Sequence, residues 1–165
     1  MNNLISQTKV QSYAKKGDVT VTLKVDIDRL IEALKSTSTL DPNLYCSFVG
    51  QLTDQKNKDY FFRVDKGKTV LWQGLPVNTS SNPNTVVNIL AVIPENTREV
   101  FSDLLCSDYP KTLLATTETQ TPEYNNDTEG DMELYSLYFN ISWMNNGLPE
   151  YSITLKIDPK VIVNP

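Results

Sequence analysis

The strongest constraint on the fold is a pair of strictly alternating segments near the C-terminal end of the chain. The apolar positions of the two segments are Tyr135, Leu137, Phe139, Ile141 and Trp143, and then Tyr151, Ile153, Leu155 and Ile157. A two-residue period places every second side chain on the same face of a β-strand. Because Asn145-Asn146-Gly147 between the segments is typical of a turn, the pattern predicts a β-hairpin with one buried face.

The N-terminal half begins with a similar alternation, which predicts a strand over residues 19–27. From Ile27 the apolar residues recur at i, i+3, i+4 and i+7, which is the spacing of a helix with one apolar stripe. We expect this helix to end near Ser36. Asp26 or Asp28 is placed to cap its first turn.

The middle of the chain contains further short apolar runs separated by polar segments. Residues 53–59 are predicted to form the turn between two of these strands, and Gly74 and Pro76 are predicted to stop a third. A capping-box pattern after Pro94 predicts a second short helix over residues 96–105, for which a strand is the alternative at one end. The predicted strands are residues 44–49, 60–64, 69–72, 85–93 and 112–115, of which 85–93 is expected in the middle of a sheet.

Many short strands, little helix and no repeated βαβ unit predict a mainly β fold. We expect an antiparallel β-sandwich with one or two short helices. A chain of 165 residues is long enough to bury about 70% of its unfolded surface in one core. Since no domain boundary or internal repeat is visible, residues 1–165 are predicted to form one domain.

Catalytic chemistry has little support in the sequence. The chain contains no histidine, so Ser-His-Asp, Cys-His and histidine–zinc mechanisms are excluded. Asp26 and Asp28 beside a helix start are interpreted as caps rather than as a catalytic pair. Trp72 and Trp143 have apolar neighbours and are expected to pack in or near the core rather than to stack on sugars. No glycine-rich phosphate-binding motif occurs, so we predict no enzyme and no cofactor.

Charge and hydropathy limit the partners. A net charge of -5 repels nucleic-acid phosphates and anionic membranes. No apolar segment approaches the length of a membrane-spanning helix. Residues 1–10 lack the basic region followed by an apolar region that a secretory signal has. We therefore expect a cytoplasmic location with neither nucleic acid nor membrane as a partner.

Two features leave alternatives open. Cys46 and Cys106 are interpreted as buried thiols in a reducing compartment, with a disulfide between them as the alternative. The acidic residues 123–133 imitate the start of an EF-hand loop, but Ser136 stands where that loop requires its final Glu. The EF-hand is rejected and no metal ligand is assigned, although a looser calcium site in this segment stays open.

Three segments together resemble the AidA/PixA inclusion body protein family of bacteria. They are VTVTLKVDID at residues 19–28 with the helix that follows, GKTVLWQG at residues 67–74, and residues 151–163 with their Asp-Pro pair. The sequence departs from the family pattern at Gln73, where a basic residue is common, and in a short loop at residues 36–43. The resemblance implies a jelly-roll-like sandwich, no catalytic residues, homo-oligomerisation and, in some members, accumulation as intracellular inclusions. Its structural signature residues here are Trp72, Gly74, Asp158 and Pro159.

Two functions follow as hypotheses. The first is a non-enzymatic bacterial protein that self-associates into a homodimer or a larger assembly. The second is a lectin-like or other ligand-binding module that takes a carbohydrate ligand through the polar loops at residues 78–84 and 118–131.

Overall fold

Two β-sheets and one α-helix make up the described part of the chain. The computed structural model describes residues 18–36, 39–95, 105–106, 112–116, 131–145 and 148–164. Single 3₁₀ turns lie at Pro42–Leu44 and Asn57–Asp59. The regular elements are β1 (Val19–Asp26), α1 (Ile27–Ser36), β2 (Cys46–Phe48), β3 (Phe61–Asp65), β4 (Thr69–Val77), β5 (Thr85–Pro94), β6 (Leu105–Cys106), β7 (Thr112–Thr116), β8 (Asp131–Asn145), β9 (Leu148–Ile157) and β10 (Lys160–Asn164).

The first sheet has the order β2-β1-β4-β7. β1 and β4 are parallel from the Val19–Val70 pair to the Asp26–Val77 pair, whereas β2 and β7 flank them in antiparallel pairings. Because the alternation of β1 turns Leu23 inward, that strand contributes one fully buried face. The helix α1 follows β1 directly and buries its apolar stripe against the same core.

The second sheet has the order β3-β10-β8-β5-β6, and β9 also pairs with β8. β9 and β10 continue in one register along β8, because Leu137 opposes Ile157 and Leu134 opposes Lys160. Pro159 interrupts this ladder because it has no backbone N–H. Its carbonyl oxygen still accepts a hydrogen bond from the Tyr135 N–H at 3.2 Å. β9 and β10 are therefore two parts of one interrupted strand that pairs along β8.

Aromatic side chains join the two sheets. Trp72 from the first sheet is fully buried, and its Nε1–H donates to the Tyr135 hydroxyl of the second sheet at 3.2 Å. Phe62 meets both rings edge to face, with ring centroids 6.2 and 6.4 Å away. Edge-to-face contact places the positive edge of one ring against the negative face of another. The core therefore lies between the sheets, as a sandwich requires.

The structure confirms the mainly β architecture, the C-terminal hairpin and the helix after the first strand. It differs from the expected antiparallel sandwich in one feature, which is that some strand pairings are parallel. Among the described residues, six strand pairings are antiparallel, and those of β1 with β4 and β3 with β10 are parallel. The two parallel pairs join strands that are not consecutive in the chain: the chain visits the second sheet at β3 between β1 and β4, and the first sheet at β4 between β3 and β10. A strand that returns in this way does not have to run antiparallel to its neighbour.

Residues 53–59 lie in the connection between β2 and β3, as predicted, but the two strands belong to different sheets. One local prediction was wrong. β4 does not stop at Gly74 and continues through Pro76. Its pairing with β7 ends at Gln73, so Pro76 lies where no described strand pairs on that side, and an edge tolerates the missing N–H. Of the predicted second helix, residues 96–104 lie outside the described residues, and Leu105 belongs to β6.

Candidate functional site

A cavity of about 840 Å³ opens where the chain crosses from the first sheet to the second. Residues 41–58 supply most of its wall, Lys24 of β1 contributes from the first sheet, and Asp158 contributes from the break between β9 and β10. We refer to this space as the crossover cavity. Its volume lies within the range of about 300 to 1,000 Å³ that is usual for small-molecule sites.

Side-chain amides hold the outer loop of the crossover cavity in shape. Gln51 Oε1 accepts from the Phe48 N–H at 2.7 Å, and Gln51 Nε2 donates to the Gln55 carbonyl oxygen. Gln55 Nε2 in turn donates to the Asp59 carbonyl oxygen at 2.7 Å. Because each glutamine binds backbone groups in place of a sheet ladder, the loop is organised without a partner strand.

Asn57 is the buried polar residue of this wall, with only 3% of its surface exposed. Its Nδ2 donates to Asn43 Oδ1 and to the Cys46 carbonyl oxygen, each at 3.2 Å. No group among the described residues donates to Asn57 Oδ1. Less than 1 Å² of this oxygen is accessible, so it lies behind the surface of the cavity rather than on it.

Cys46 lies beside the same wall and is chemically inert. Burial, and then the nearby Asp41 carboxylate, raise the pKa of the Cys46 thiol to about 12. The thiol donates to the Pro42 carbonyl oxygen at 2.9 Å. Since the thiolate is the nucleophile, a thiol that stays protonated at neutral pH does not provide nucleophilic catalysis.

The charges around the crossover cavity balance. Three lysine residues and three aspartate residues line it. Two aliphatic side chains lie at its rim, Leu44 with 62% and Leu52 with 74% of its surface exposed. The charged lining residues are Lys24, Lys56, Lys58, Asp41, Asp54 and Asp158.

A second polar cluster adjoins the cavity through Asp158. The Ser136 hydroxyl lies 2.7 Å from Glu95 Oε1 and 3.1 Å from Asp158 Oδ1, and Lys156 Nζ is 3.3 and 3.1 Å from the same two oxygens. The Ser136 hydrogen bond, more than Lys156, lowers the pKa of Glu95. A general acid at neutral pH needs a raised pKa, so this cluster is suited to an ion pair rather than to proton transfer.

The signature residues of the family resemblance occupy different places. Trp72 is in the core, and Gly74 is where β4 approaches β5. Pro159 is buried in the break between β9 and β10, and Asp158 beside it reaches both the polar cluster and the crossover cavity. Of these four residues, Asp158 alone lines the cavity.

The acids at the start of α1 anchor a loop as well as the helix. Asp26 Oδ1 accepts from the Arg29 N–H at 3.4 Å and Asp26 Oδ2 accepts from Asn78 Nδ2 at 2.9 Å. Asp28 accepts from the Ser81 N–H and from Asn82 Nδ2. The polar loop at residues 78–84 is therefore tied to the helix, as capping side chains would do.

The remaining sequence candidates are separated or not described. Cys46 is a free thiol in β2, at one end of the first sheet, whereas Cys106 is in β6, which lies beside β7 at the opposite end. Three strand spacings are about 14 Å, which is too far for a disulfide. Residues 117–130, which include most of the acidic segment and the second predicted recognition loop, lie outside the described residues. In the part of the chain that is described, no acidic or cysteine cluster is arranged to hold a metal ion.

Sequence reasoning missed the crossover cavity because it interpreted residues 53–59 only as a turn that joins two strands. The available signal was the set of amide side chains at Gln51, Gln55 and Asn57, which a tight turn does not need. Their role depends on β2 and β3 lying in different sheets, which local patterns do not encode.

The fold and its core define the class as a β-sandwich of two mixed sheets with one helix. The chain is similar to the crystal structure of an inclusion body protein, PixA, from Burkholderia cenocepacia, with a TM-score of 0.56 and 9% sequence identity. The match covers 92% of this chain and 98% of that one. The resemblance to the AidA/PixA family is thereby confirmed at the level of the fold.

Sequence comparison adds no relative, since neither a family model nor a curated protein matches the chain. No helix among the described residues has the length and apolar character needed to cross a membrane.

Proposed function

We propose that this chain is a non-enzymatic bacterial protein that assembles with copies of itself in the cytoplasm, in the manner of an inclusion body protein. The solved structure that the chain resembles is described as an inclusion body protein, which supports this proposal. Its own chemistry supports a non-catalytic role, because it has no histidine and the pKa of Glu95 is lowered while that of the Cys46 thiol is raised.

The observation that carries the proposal is the side of β9 on which no strand of the described part of the chain pairs. β9 is ten residues long, and among the described residues it pairs with β8 alone. The 3₁₀ turn Pro42–Leu44 lies against part of it. A long strand with unpaired backbone groups is a template for another strand, so this edge suits a second copy of the chain.

The register identifies the backbone groups that point away from β8. Because the Tyr135 N–H bonds to the Pro159 carbonyl oxygen, Tyr135 and Pro159 are a hydrogen-bonded pair, and such pairs recur at every second residue. In the same register Ile153 belongs to a hydrogen-bonded pair, so its N–H and C=O groups point toward β8. The N–H and C=O groups of Ser152 and Thr154 therefore point away from β8. Both of their side chains are exposed.

Two copies of β9 related by a two-fold axis would satisfy these groups on both strands. Such an interface is self-complementary, because each copy offers the same surface. A lysine on an edge strand often prevents that strand from pairing with another chain. The ammonium group of Lys156, however, forms ion pairs with Glu95 and Asp158. The segment around Thr154 is therefore the best place to block the pairing.

The test compares Thr154→Pro with Thr154→Ala. Proline removes the outward N–H and leaves the bonds to β8 in place, whereas alanine keeps the N–H. We expect size-exclusion chromatography with light scattering to show concentration-dependent assembly of the wild type and Thr154→Ala. Thr154→Pro should raise the dissociation constant at least about tenfold.

A wild type that stays monomeric at high micromolar concentration would refute self-association. Assembly that Thr154→Pro does not weaken would refute the β9 edge as the contact. Matching circular dichroism spectra of the two variants are the control for folding.

The lectin-like alternative stays a prediction. In the first of its loops, Asn78 and Asn82 hydrogen-bond to Asp26 and Asp28, and the second loop lies largely outside the described residues. A glycan array without binding, in the presence and absence of calcium, would remove support for recognition by these loops.

A further inference from the structure

We propose that the β9 edge carries an acid-sensitive switch. While Glu95 and Asp158 are ionised, they hold the Lys156 ammonium over β8, and in acid they release it toward the unpaired side of β9. This inference rests on the proposed function, because it concerns how pairing along β9 is regulated.

The first observation is the direction in which the Lys156 side chain extends. Lys156 is exposed on β9, between the inward-facing Leu155 and Ile157, and it opposes Tyr138 of β8. Its Nζ lies 3.3 Å from Oε1 of Glu95, which directly follows β5, the strand on the far side of β8. The side chain therefore crosses β8 and points away from the side of β9 on which no described strand pairs.

Two carboxylates hold the ammonium in this position. Asp158 Oδ1 lies 3.1 Å from Lys156 Nζ, and the Ser136 hydroxyl contacts both Asp158 and Glu95. The hydrogen bond to Asp158 is the main reason that the pKa of Lys156 is raised. All three charged side chains are partly exposed, so solvent protons reach the carboxylates without unfolding of the sheet.

The other groups near Lys156 do not replace these two carboxylates. Among the described residues, no third acid forms an ion pair with Lys156. Lys160, the next lysine along this part of the sheet, pairs with Asp59 at 3.8 Å. Tyr138 is the titratable group directly opposite on β8, and a tyrosine does not change charge in acid. The position of the ammonium therefore depends on Glu95 and Asp158.

A released Lys156 side chain interferes with pairing. Its backbone N–H and C=O groups point away from β8, because Lys156 is two residues beyond Thr154 in the same register. A lysine stem is flexible and its ammonium is strongly hydrated, so the free side chain can lie over these groups and resist desolvation by a second strand. A two-fold interface contains Lys156 of both copies, so the effect enters twice.

Acid is the condition that releases the ammonium. The pKa of Glu95 is lowered, first by the Ser136 hydrogen bond, so Glu95 loses its charge only below the ordinary glutamate value of about 4.3. Acid also reduces the net charge of -5 and with it the repulsion between copies, which acts in the opposite direction. Substitutions at neutral pH separate the two effects.

The experiment measures self-association at pH 7 by size-exclusion chromatography with light scattering over a concentration series. Glu95→Gln/Asp158→Asn removes both charges and leaves an acceptor oxygen for Ser136 at each position. We expect its dissociation constant to be at least about fivefold above that of the wild type. The change is opposite to the effect of net charge, because removing two negative charges reduces repulsion.

Two further variants identify the cause. Adding Lys156→Gln to the double variant should restore the dissociation constant of the wild type, because no ammonium is left to release. Glu32→Gln/Asp54→Asn is the charge-matched control, since both residues are exposed and neither forms an ion pair with a described residue. It should assemble at least as strongly as the wild type.

A wild type that does not self-associate would refute the proposed function and the switch with it. A wild type that assembles, beside a Glu95→Gln/Asp158→Asn variant of equal affinity, would overturn the switch and leave self-association standing. The switch would also be overturned if Lys156→Gln failed to restore assembly, or if Glu32→Gln/Asp54→Asn were weakened equally. Urea denaturation of each variant is the control for folding.

Discussion

At the scale of single residues, Gly74 sets the distance between the two sheets. A Cβ at this position would lie 2.5 Å from Val87 Cγ1 and 2.5 Å from the Val87 carbonyl oxygen. Real Cβ atoms do not approach so closely, and one of the two obstacles is backbone that cannot rotate away. Glycine is therefore required here by the facing strand β5 rather than by a special backbone conformation.

We expect Gly74→Ala to lower the free energy of unfolding by about 1 to 3 kcal/mol, because the sheets must separate locally to admit the methyl group. Urea denaturation measures the loss. Gly67→Ala is the control, because its cost has a different cause. Gly67 has a φ of 74°, and a methyl group there would meet no atom within 4 Å. That change costs about 1 to 2 kcal/mol through backbone strain alone, and Gly67→Asn should recover part of it.

A Gly74→Ala protein within about 0.5 kcal/mol of the wild type would contradict the close approach of β4 and β5.

At the scale of elements, the break between β9 and β10 gathers charge at one point of the second sheet. Pro159 keeps the register along β8, and Asp158 turns its carboxylate toward Ser136 and Lys156. Glu95, directly after β5, completes the cluster from the opposite side of β8. One polar cluster therefore connects three segments of this sheet.

This cluster makes stability depend on pH in the acid range. The lowered pKa of Glu95 means that its ionised form is favoured by folding, mainly through the Ser136 hydrogen bond. Its contribution is complete above the ordinary carboxyl pKa and is lost as the pH falls through the lowered value. We expect Ser136→Ala to lose stability at neutral pH and to show a shallower decline in acid, measured by urea denaturation from about pH 7 to about pH 3.

Asp18 is the internal control for this measurement. Hydrogen bonds from Thr69 lower the pKa of Asp18, so it contributes to the same acid range from a different sheet. Asp18→Ala should remove the contribution of Asp18 to the pH dependence of stability and leave the contribution of the Glu95 cluster unchanged. Identical pH profiles for wild type and Ser136→Ala would contradict the role of Ser136.

At the scale of the whole molecule, assembly brings together chains that each carry a net charge of -5. Like-charged copies repel over a Debye length, which is about 30 Å at 0.01 M salt and about 10 Å at 0.1 M. Backbone pairing along β9 needs no charge complementarity, so repulsion opposes it and screening favours it.

We therefore expect self-association to strengthen when sodium chloride is raised from about 0.01 M to about 0.15 M. Sedimentation velocity at both salt concentrations, at one protein concentration, measures the change. Thr154→Pro should show little response at either salt concentration. Weaker association at the higher concentration would indicate an interface of opposite charges instead of the β9 edge.

Local pattern was enough to predict several elements. The alternation of β8 and β9, and the change from alternation to helical spacing at Ile27, each lie within one short segment. The burial of one face of a strand or helix requires only that a core exists, so the pattern carries the prediction without knowledge of partners. The mainly β class followed from the number of such segments.

The other features of the fold were decided by contacts between strands that are far apart in the chain. The parallel pairing of β1 with β4, the continuation of β4 through Pro76 and the requirement for Gly74 depend on which strand lies beside or opposite another. The crossover cavity likewise exists because β2 and β3 belong to different sheets, which leaves Asn57 buried between them. Which side chains turn inward could be predicted from the sequence, because inward orientation depends on local period. Where backbone and polar groups meet depends on the tertiary structure, because those contacts join residues far apart in the chain.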